Sequence, residues 1–309
     1  MRLFVLLGYL FLNSNPISFA ASSYKEYKVN WAPFKSNQKL FDEYTNIFGD
    51  GTDQKIVSKA DLERGFEILN IVSKANPNWI DGYWMLGSTA HQWATSFNEE
   101  KDLPLARSIF VKGEQIDEAC LKLEPKHALC KLFLAAAIGN ISSIDGIMAS
   151  LKNAKKIESL MNEALNSGVN YNFFAQISLQ GSVRYGLGMY YRLVPDLWII
   201  QWLFNVRGNI DKSIAMHRGA IAIDGANVCS NLMLAVSILC RFKGERDKKE
   251  AQEGLDILKI VAHSNNDNIT MQYCVTDSNK ILNDPSLACG YTPVKQQNLS
   301  ENEVNKQKK

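Results

Sequence analysis

Histidines, cysteines and paired carboxylates are the side chains with which this chain could do chemistry, and their spacing decides which chemistry. The four histidines, His91, His127, His217 and His263, stand far apart. No HExxH sets two of them on one helical turn, so a zinc site of that kind is not indicated. No GxSxG marks a nucleophile elbow. The run 186-GLGMYY-191 sits inside a helical pattern with no strand before it, which removes the dinucleotide reading. Ser36 and Lys39 spell SxxK without the partner motifs that acyl-enzyme chemistry needs. Glu99 and Glu100 fall in an insertion, and Asp81 falls at a helix start, so neither supplies an acid/base pair. These residues point away from an enzyme and call for no cofactor and no metal, leaving an exported helical hydrolase as the minor alternative.

Six cysteines, Cys120, Cys130, Cys229, Cys240, Cys274 and Cys289, permit disulfides in an oxidising compartment. Buried thiols acting as small hydrophobes are the competing reading. Cys229 and Cys240 share one helical stretch and lie about 16 Å apart, too far to bond each other. Cys274 and Cys289 flank a loop with Asn283, Asp284 and Pro285 and form the expected pair.

The compartment is set by the first residues. MRLFVLLGYLFLNSNPISFAASS begins with a positive charge, continues through an apolar run and ends in small residues, with Ser18 and Ala20 where a signal peptidase reads. The apolar run is shorter than the roughly 20 residues a membrane helix needs. Residues 1–20 are therefore expected to be a secretory signal cleaved near Ala20, which makes the chain periplasmic and soluble, with no span-length apolar run after it. Lys and Arg number 34 against 32 Asp and Glu, and they are scattered, so nucleic acid is not an expected partner.

Stepping along the chain, residues 21–58 read as an N-terminal arm with a short helix near Asn37–Phe48, and residues 59–290 as helices almost without interruption. Residues 291–309 are polar and apolar-poor and are expected to be a disordered tail. Alternating β-branched runs are absent, so the fold class is all-α. The helices also repeat: 80-IDGYWMLGSTAHQWA-94, 127-HALCKLFLAAAIGN-140, 181-GSVRYGLGMYYR-192 and 227-NVCSNLMLAVSILC-240 are alike. Each carries Leu-Gly or Leu-Ala at one register, as in Leu86-Gly87 and Leu187-Gly188, where a small residue lets a neighbouring helix approach. Second helices follow, ending 118-EACLKLEP-125 and 218-RGAIAIDG-225. This is the pattern of a tetratricopeptide-like helical-hairpin solenoid of four units, with two insertions between paired helices at 95–104 and 193–208.

Gly181, Arg184, Leu187, Gly188, Tyr191 and Pro195, followed by Gly208, Ser213 and Ala220, resemble one group of such proteins: the tetratricopeptide T components associated with TRAP-type tripartite periplasmic transporters. The resemblance spans about residues 60–262. The chain departs from it in the long aromatic insertion, in Gly225 where a Pro is expected, and in lacking a lipid-attachment cysteine. The resemblance implies a periplasmic accessory protein, a homo-oligomer and often a trimer, that docks the solute-binding subunit of the transporter and passes it an apolar ligand. A general cell-envelope scaffold for protein segments is the alternative.

On the Leu-Gly register the concave face falls to Asp81, Trp84, Ser88, His91 and Gln92 in the first unit, Leu132, Ala136 and Asn140 in the second, Tyr185, Met189 and Arg192 in the third, and Leu232, Val236 and Leu239 in the fourth. Either the superhelix is tight and this face is core, or it lines an apolar channel; a peptide groove is a third reading. The expected ligand-binding residues are Trp84, His91, Leu132, Tyr185, Met189, Leu232 and Val236. The second insertion, 193-LVPDLWIIQWLFNVRG-208, is apolar on nearly every side over about three turns, too short to cross a bilayer and without the Lys/Arg face of an interfacial helix. It should be covered by protein, within the chain or at an interface anchored by Trp198, Trp202 and Phe204. A membrane-dipping element is the remaining reading.

Overall fold

A computed structural model describes residues 24–49, 57–97, 99–174, 177–246, 248–264 and 271–297. The secretory signal expected at 1–20 and the end of the tail, 298–309, lie outside the described residues. The fold is all-α. Among the described residues, strands are limited to two short pairings, Lys25–Glu26 (β1) parallel to Val169–Asn170 (β2), and Asn172–Phe174 (β3) antiparallel to Ile177–Ser178 (β4).

The N-terminal arm forms α1 (Ala32–Lys35) and α2 (Gln38–Phe48), followed by α3 (Lys59–Ala75). Hairpins then succeed one another: α4 (Ile80–Thr95) with α5 (Leu103–Leu123), and α6 (Ala128–Asp145) with α7 (Ile147–Leu165). The third pair, α8 (Leu179–Leu193) with α10 (Ile210–Asp224), is separated by the short α9 (Trp198–Phe204). After α11 (Val228–Arg241) and α12 (Gln252–Ala262) come α13 (Gln272–Asn283) and a 3-10 helix at Pro285–Gly290. Local chemistry sets the starts. Ser58 and Asp61 form a capping box at α3, while Ser178, Asn209 and Asn227 accept backbone N–H bonds at the heads of α8, α10 and α11. Gly146, at φ 102°, is the whole link between α6 and α7.

Each hairpin helix packs on its predecessor and successor, and α4, α6, α8 and α11 also pack on one another in that order. The Leu-Gly register lies at these contacts. A Cβ on Gly188 of α8 would stand 2.5 Å from the His217 ring of α10, and one on Gly87 of α4 would stand 2.4 Å from the Asp117 carboxyl of α5. His217 and Asp117 are fully buried, with no hydrogen-bond partner for either His217 nitrogen or either Asp117 oxygen. Burial holds the His217 pKa down to about 3, with the Arg192 charge adding to it, and raises that of Asp117. Burial thus disfavours the charged form of each.

Three disulfides replace the expected Cys274–Cys289 pair. Cys120 bonds Cys130 between α5 and α6, Cys229 bonds Cys274, and Cys240 bonds Cys289. The adjacent-loop pairing fails because α13 and the 3-10 helix both lie against α11, which puts each of their cysteines opposite one on α11. Arg192 is buried, not concave-facing, and donates to the carbonyls of Ala288, Cys289 and Tyr291 at 2.8, 3.0 and 2.8 Å. It pins the start of the segment expected to be a disordered tail: Tyr291 is buried and donates to Asp277, and Gln297 donates to the Ser143 carbonyl. An isolated tail has nothing to bury, but this one closes over an existing core.

Two further expectations change. α6 is apolar and long enough to cross a membrane by length and composition, at 18 residues and mean hydropathy 1.4, yet 67% of it is buried inside the protein. The helical part of the second insertion is only seven residues, not three turns, and lies along α7 with Ile200 buried and Phe204 partly buried. Its own chain leaves Trp198 and Trp202, one turn apart, 73% exposed each.

Candidate ligand cavity

A cavity of about 1090 Å³ lies along the inner helices, at the upper limit of the roughly 300–1,000 Å³ of small-molecule sites. α4 supplies Trp84, Ser88, His91 and Gln92, and α6 supplies Leu132, Ala136 and Asn140. α8 supplies Tyr185 and Met189, with Met161 of α7 beneath them. Their four-residue spacing puts each set on one face of its helix, and side-by-side packing of α4, α6 and α8 makes those faces one wall. Of the ligand-binding residues expected from sequence, Trp84, His91, Leu132, Tyr185 and Met189 line this space. Leu232 and Val236 do not. With Leu239 they are closed into a separate core against Leu258, Cys274 and Ile281, because α13 and the 3-10 helix cover that part of α11.

The opposite wall comes from segments outside the paired helices. Tyr27, Trp31 and Tyr44 of the arm and Tyr171 and Phe173 after α7 face the cavity. The aromatics interlock edge to face: Trp84 with Tyr171 at 5.1 Å between centroids, Tyr171 with Phe173 at 5.3 Å, and Phe173 with Phe133 at 5.6 Å. Sequence reasoning missed Tyr27, Tyr171 and Phe173. Aromatic density in 24-YKEYKVNW-31 was the available signal, but it names no partner.

No protein-family model and no curated protein matches this chain.

Asp81 organises the arm. Its Oδ1 accepts from Tyr27 Oη at 2.8 Å and Trp84 Nε1 at 2.7 Å, and its Oδ2 from the Asn30 amide at 2.8 Å. His127 caps α6, its Nδ1 accepting from the Cys130 amide, so its proton sits on Nε2 and is donated to Tyr27 Oη. Burial lowers the His127 pKa against the pull of Glu124 and Asp81, and burial with the Asp81 bond raises that of Tyr27. The chain His127–Tyr27–Asp81 therefore fastens the arm across two inner helices. His127 also lies beside Cys120 and Cys130, a trio within metal-ligand reach. Both sulfurs are consumed by the disulfide and both ring nitrogens are bonded, so the trio has no free ligand atom.

The lining grades from apolar to polar. At one end of α4 and α6 stand His91, Gln92, Asn140 and Ser143, with Ser150 of α7 and Gln297 from the C-terminal segment. His91 Nδ1, Ser150 Oγ and Gln297 Oε1 are buried without a protein partner, and burial holds His91 neutral with a pKa near 4. This arrangement suits holding an apolar molecule, with few polar groups setting its orientation.

Proposed function

We propose that this chain is an exported, tetratricopeptide-like binding protein whose stacked hairpins hold an apolar ligand on their inner face. The aromatic and methionine-lined cavity of about 1090 Å³ is the observation that carries this reading. The Leu-Gly contacts fit tetratricopeptide units, since a small residue there allows the paired helices to close. Three disulfides fit an oxidising compartment, in keeping with a cleaved signal and a periplasmic location. By its resemblance to the T components, the protein works as an accessory to a TRAP-type transporter, an oligomer that docks a solute-binding subunit and passes it the ligand. Trp198 and Trp202 supply the docking face, since paired exposed tryptophans are costly to leave in water and are favoured interface anchors.

The test uses the mature protein and N-phenyl-1-naphthylamine, an uncharged fluorophore that brightens in apolar surroundings. Saturable, blue-shifted binding is expected, and Ala136→Phe, which narrows the cavity from a lining position, should weaken it while far-UV circular dichroism is retained. No binding by the wild-type chain would remove the ligand reading and favour an envelope scaffold that works through its tryptophan face.

A further inference from the structure

The charge distribution of the cavity narrows what it holds. Among the described lining residues the cations are Lys28 and Lys35, both exposed, and the anions are Glu26, which is exposed, and Asp224. Asp224 is already engaged, accepting from the Ser178 amide at 3.1 Å and the Ser178 hydroxyl at 2.6 Å. The buried cations Lys131, Arg184 and Arg192 do not line the space; Lys131 pairs with Glu163, and Arg192 is spent on the backbone carbonyls of the C-terminal segment. A ligand carboxylate or phosphate in the interior would find no counter-ion among the described lining residues, and an unpaired buried charge costs far more than an unpaired dipole.

Neutral hydrogen-bonding capacity, by contrast, is present and unspent. Gln297 is 7% exposed, its Nε2 donates to Ser143 and Lys295 carbonyls, and its Oε1 is left without a partner. Ser150 Oγ and His91 Nδ1 are in the same condition. Gln92 reaches Ser88 only at 3.4 Å, and Asn140 spends one amide proton on its own helix. Buried polar groups of this kind usually have partners, so these atoms are available to hydrogen-bond a neutral polar group that enters the cavity.

We propose that the occupant is an uncharged amphiphile, a long apolar body ending in a hydroxyl, carbonyl or amide head that meets Gln92, Asn140 and Gln297. The inference rests on the ligand-binding reading above and gives that ligand its chemical class. Fatty acids, lysophospholipids and other charged-head lipids are poor fits. The body lies against the Trp84, Leu132 and Met189 wall, and the head takes up the polar atoms that the protein leaves open.

The test displaces bound N-phenyl-1-naphthylamine with three probes of equal chain length: dodecan-1-ol, dodecanoate and dodecylammonium, at a pH where the last two are charged. The alcohol should displace the fluorophore at concentrations at least about 10-fold lower than either ion, a factor equivalent to about 1.4 kcal/mol. Gln92→Leu with Asn140→Leu should reduce that preference to about 2-fold or less, whereas Gln92→Asn should keep most of it. Equal or tighter displacement by either ion overturns the proposal, as does fluorophore binding that none of the three probes displaces. Failure of the fluorophore itself to bind overturns the ligand-binding reading, and this inference with it.

Discussion

His217 offers a direct measurement of the packing between α8 and α10. It is fully buried against Gly188, neither ring nitrogen has a partner, and its pKa is held near 3 against about 6.5 when unfolded. The fold therefore favours the neutral ring. Above about pH 6.5 both states are neutral there and the stabilisation is complete; as pH falls below that value the unfolded chain takes up a proton that the folded chain refuses. The loss is about 1.4 kcal/mol per pH unit, so lowering the pH from about 6.5 to about 4.5 removes at most about 3 kcal/mol through this residue alone. His91 and His127 act in the same direction, and Asp117 acts oppositely because its raised pKa costs stability as pH increases. Comparison with His217→Leu isolates the one residue, since Leu is the residue at the matching place on α12, Leu258. Urea denaturation followed by circular dichroism across that range should show the wild type losing stability more steeply, by about 1.4 kcal/mol per pH unit. At neutral pH the variant should equal or exceed the wild type, because two unsatisfied buried nitrogens are removed. Parallel pH dependences would refute the burial of His217 and with it the α8–α10 register.

Other perturbations check separate parts of the structure. Gly188→Leu should destabilise by about 1–3 kcal/mol, since its Cβ alone would stand 2.5 Å from the His217 ring; an unchanged melting temperature would contradict that contact. Replacing Cys229 and Cys274 together by Ala should cost about 4 kcal/mol for a closure spanning 45 residues, read as a lower denaturation midpoint, and an unaltered midpoint would reject the pairing. Trp198→Ala with Trp202→Ala should change stability by less than about 0.5 kcal/mol because both side chains are 73% exposed, while native mass spectrometry shows loss of the oligomer or of a bound partner. Loss of folding in that double variant would place the tryptophans in the core instead.

What sequence alone determined was local. Helical periodicity, the caps at Ser58, Ser178, Asn209 and Asn227, and the Leu-Gly pairs depend on residues within a few turns of one another, so the all-α class and the hairpin order were legible. The same periodicity put Trp84, Leu132, Tyr185 and Met189 on one face, because four-residue spacing is written in the chain. Whether that face is open or closed is not. Leu232 and Val236 have the same register as cavity residues, but α13 and the 3-10 helix cover them, and only the path of a distant segment decides this. Cysteine pairing depends likewise on which helices lie against α11, so loop proximity named the wrong partner for Cys274. The exposure of Trp198 and Trp202 reflects how little of α9 its neighbour α7 can cover, although composition alone demanded cover. Tyr27 is polar and aromatic in sequence, but becomes the clasp of the arm only once Asp81 and His127, on two different helices, are brought within 3 Å of its hydroxyl, at 2.8 and 2.9 Å.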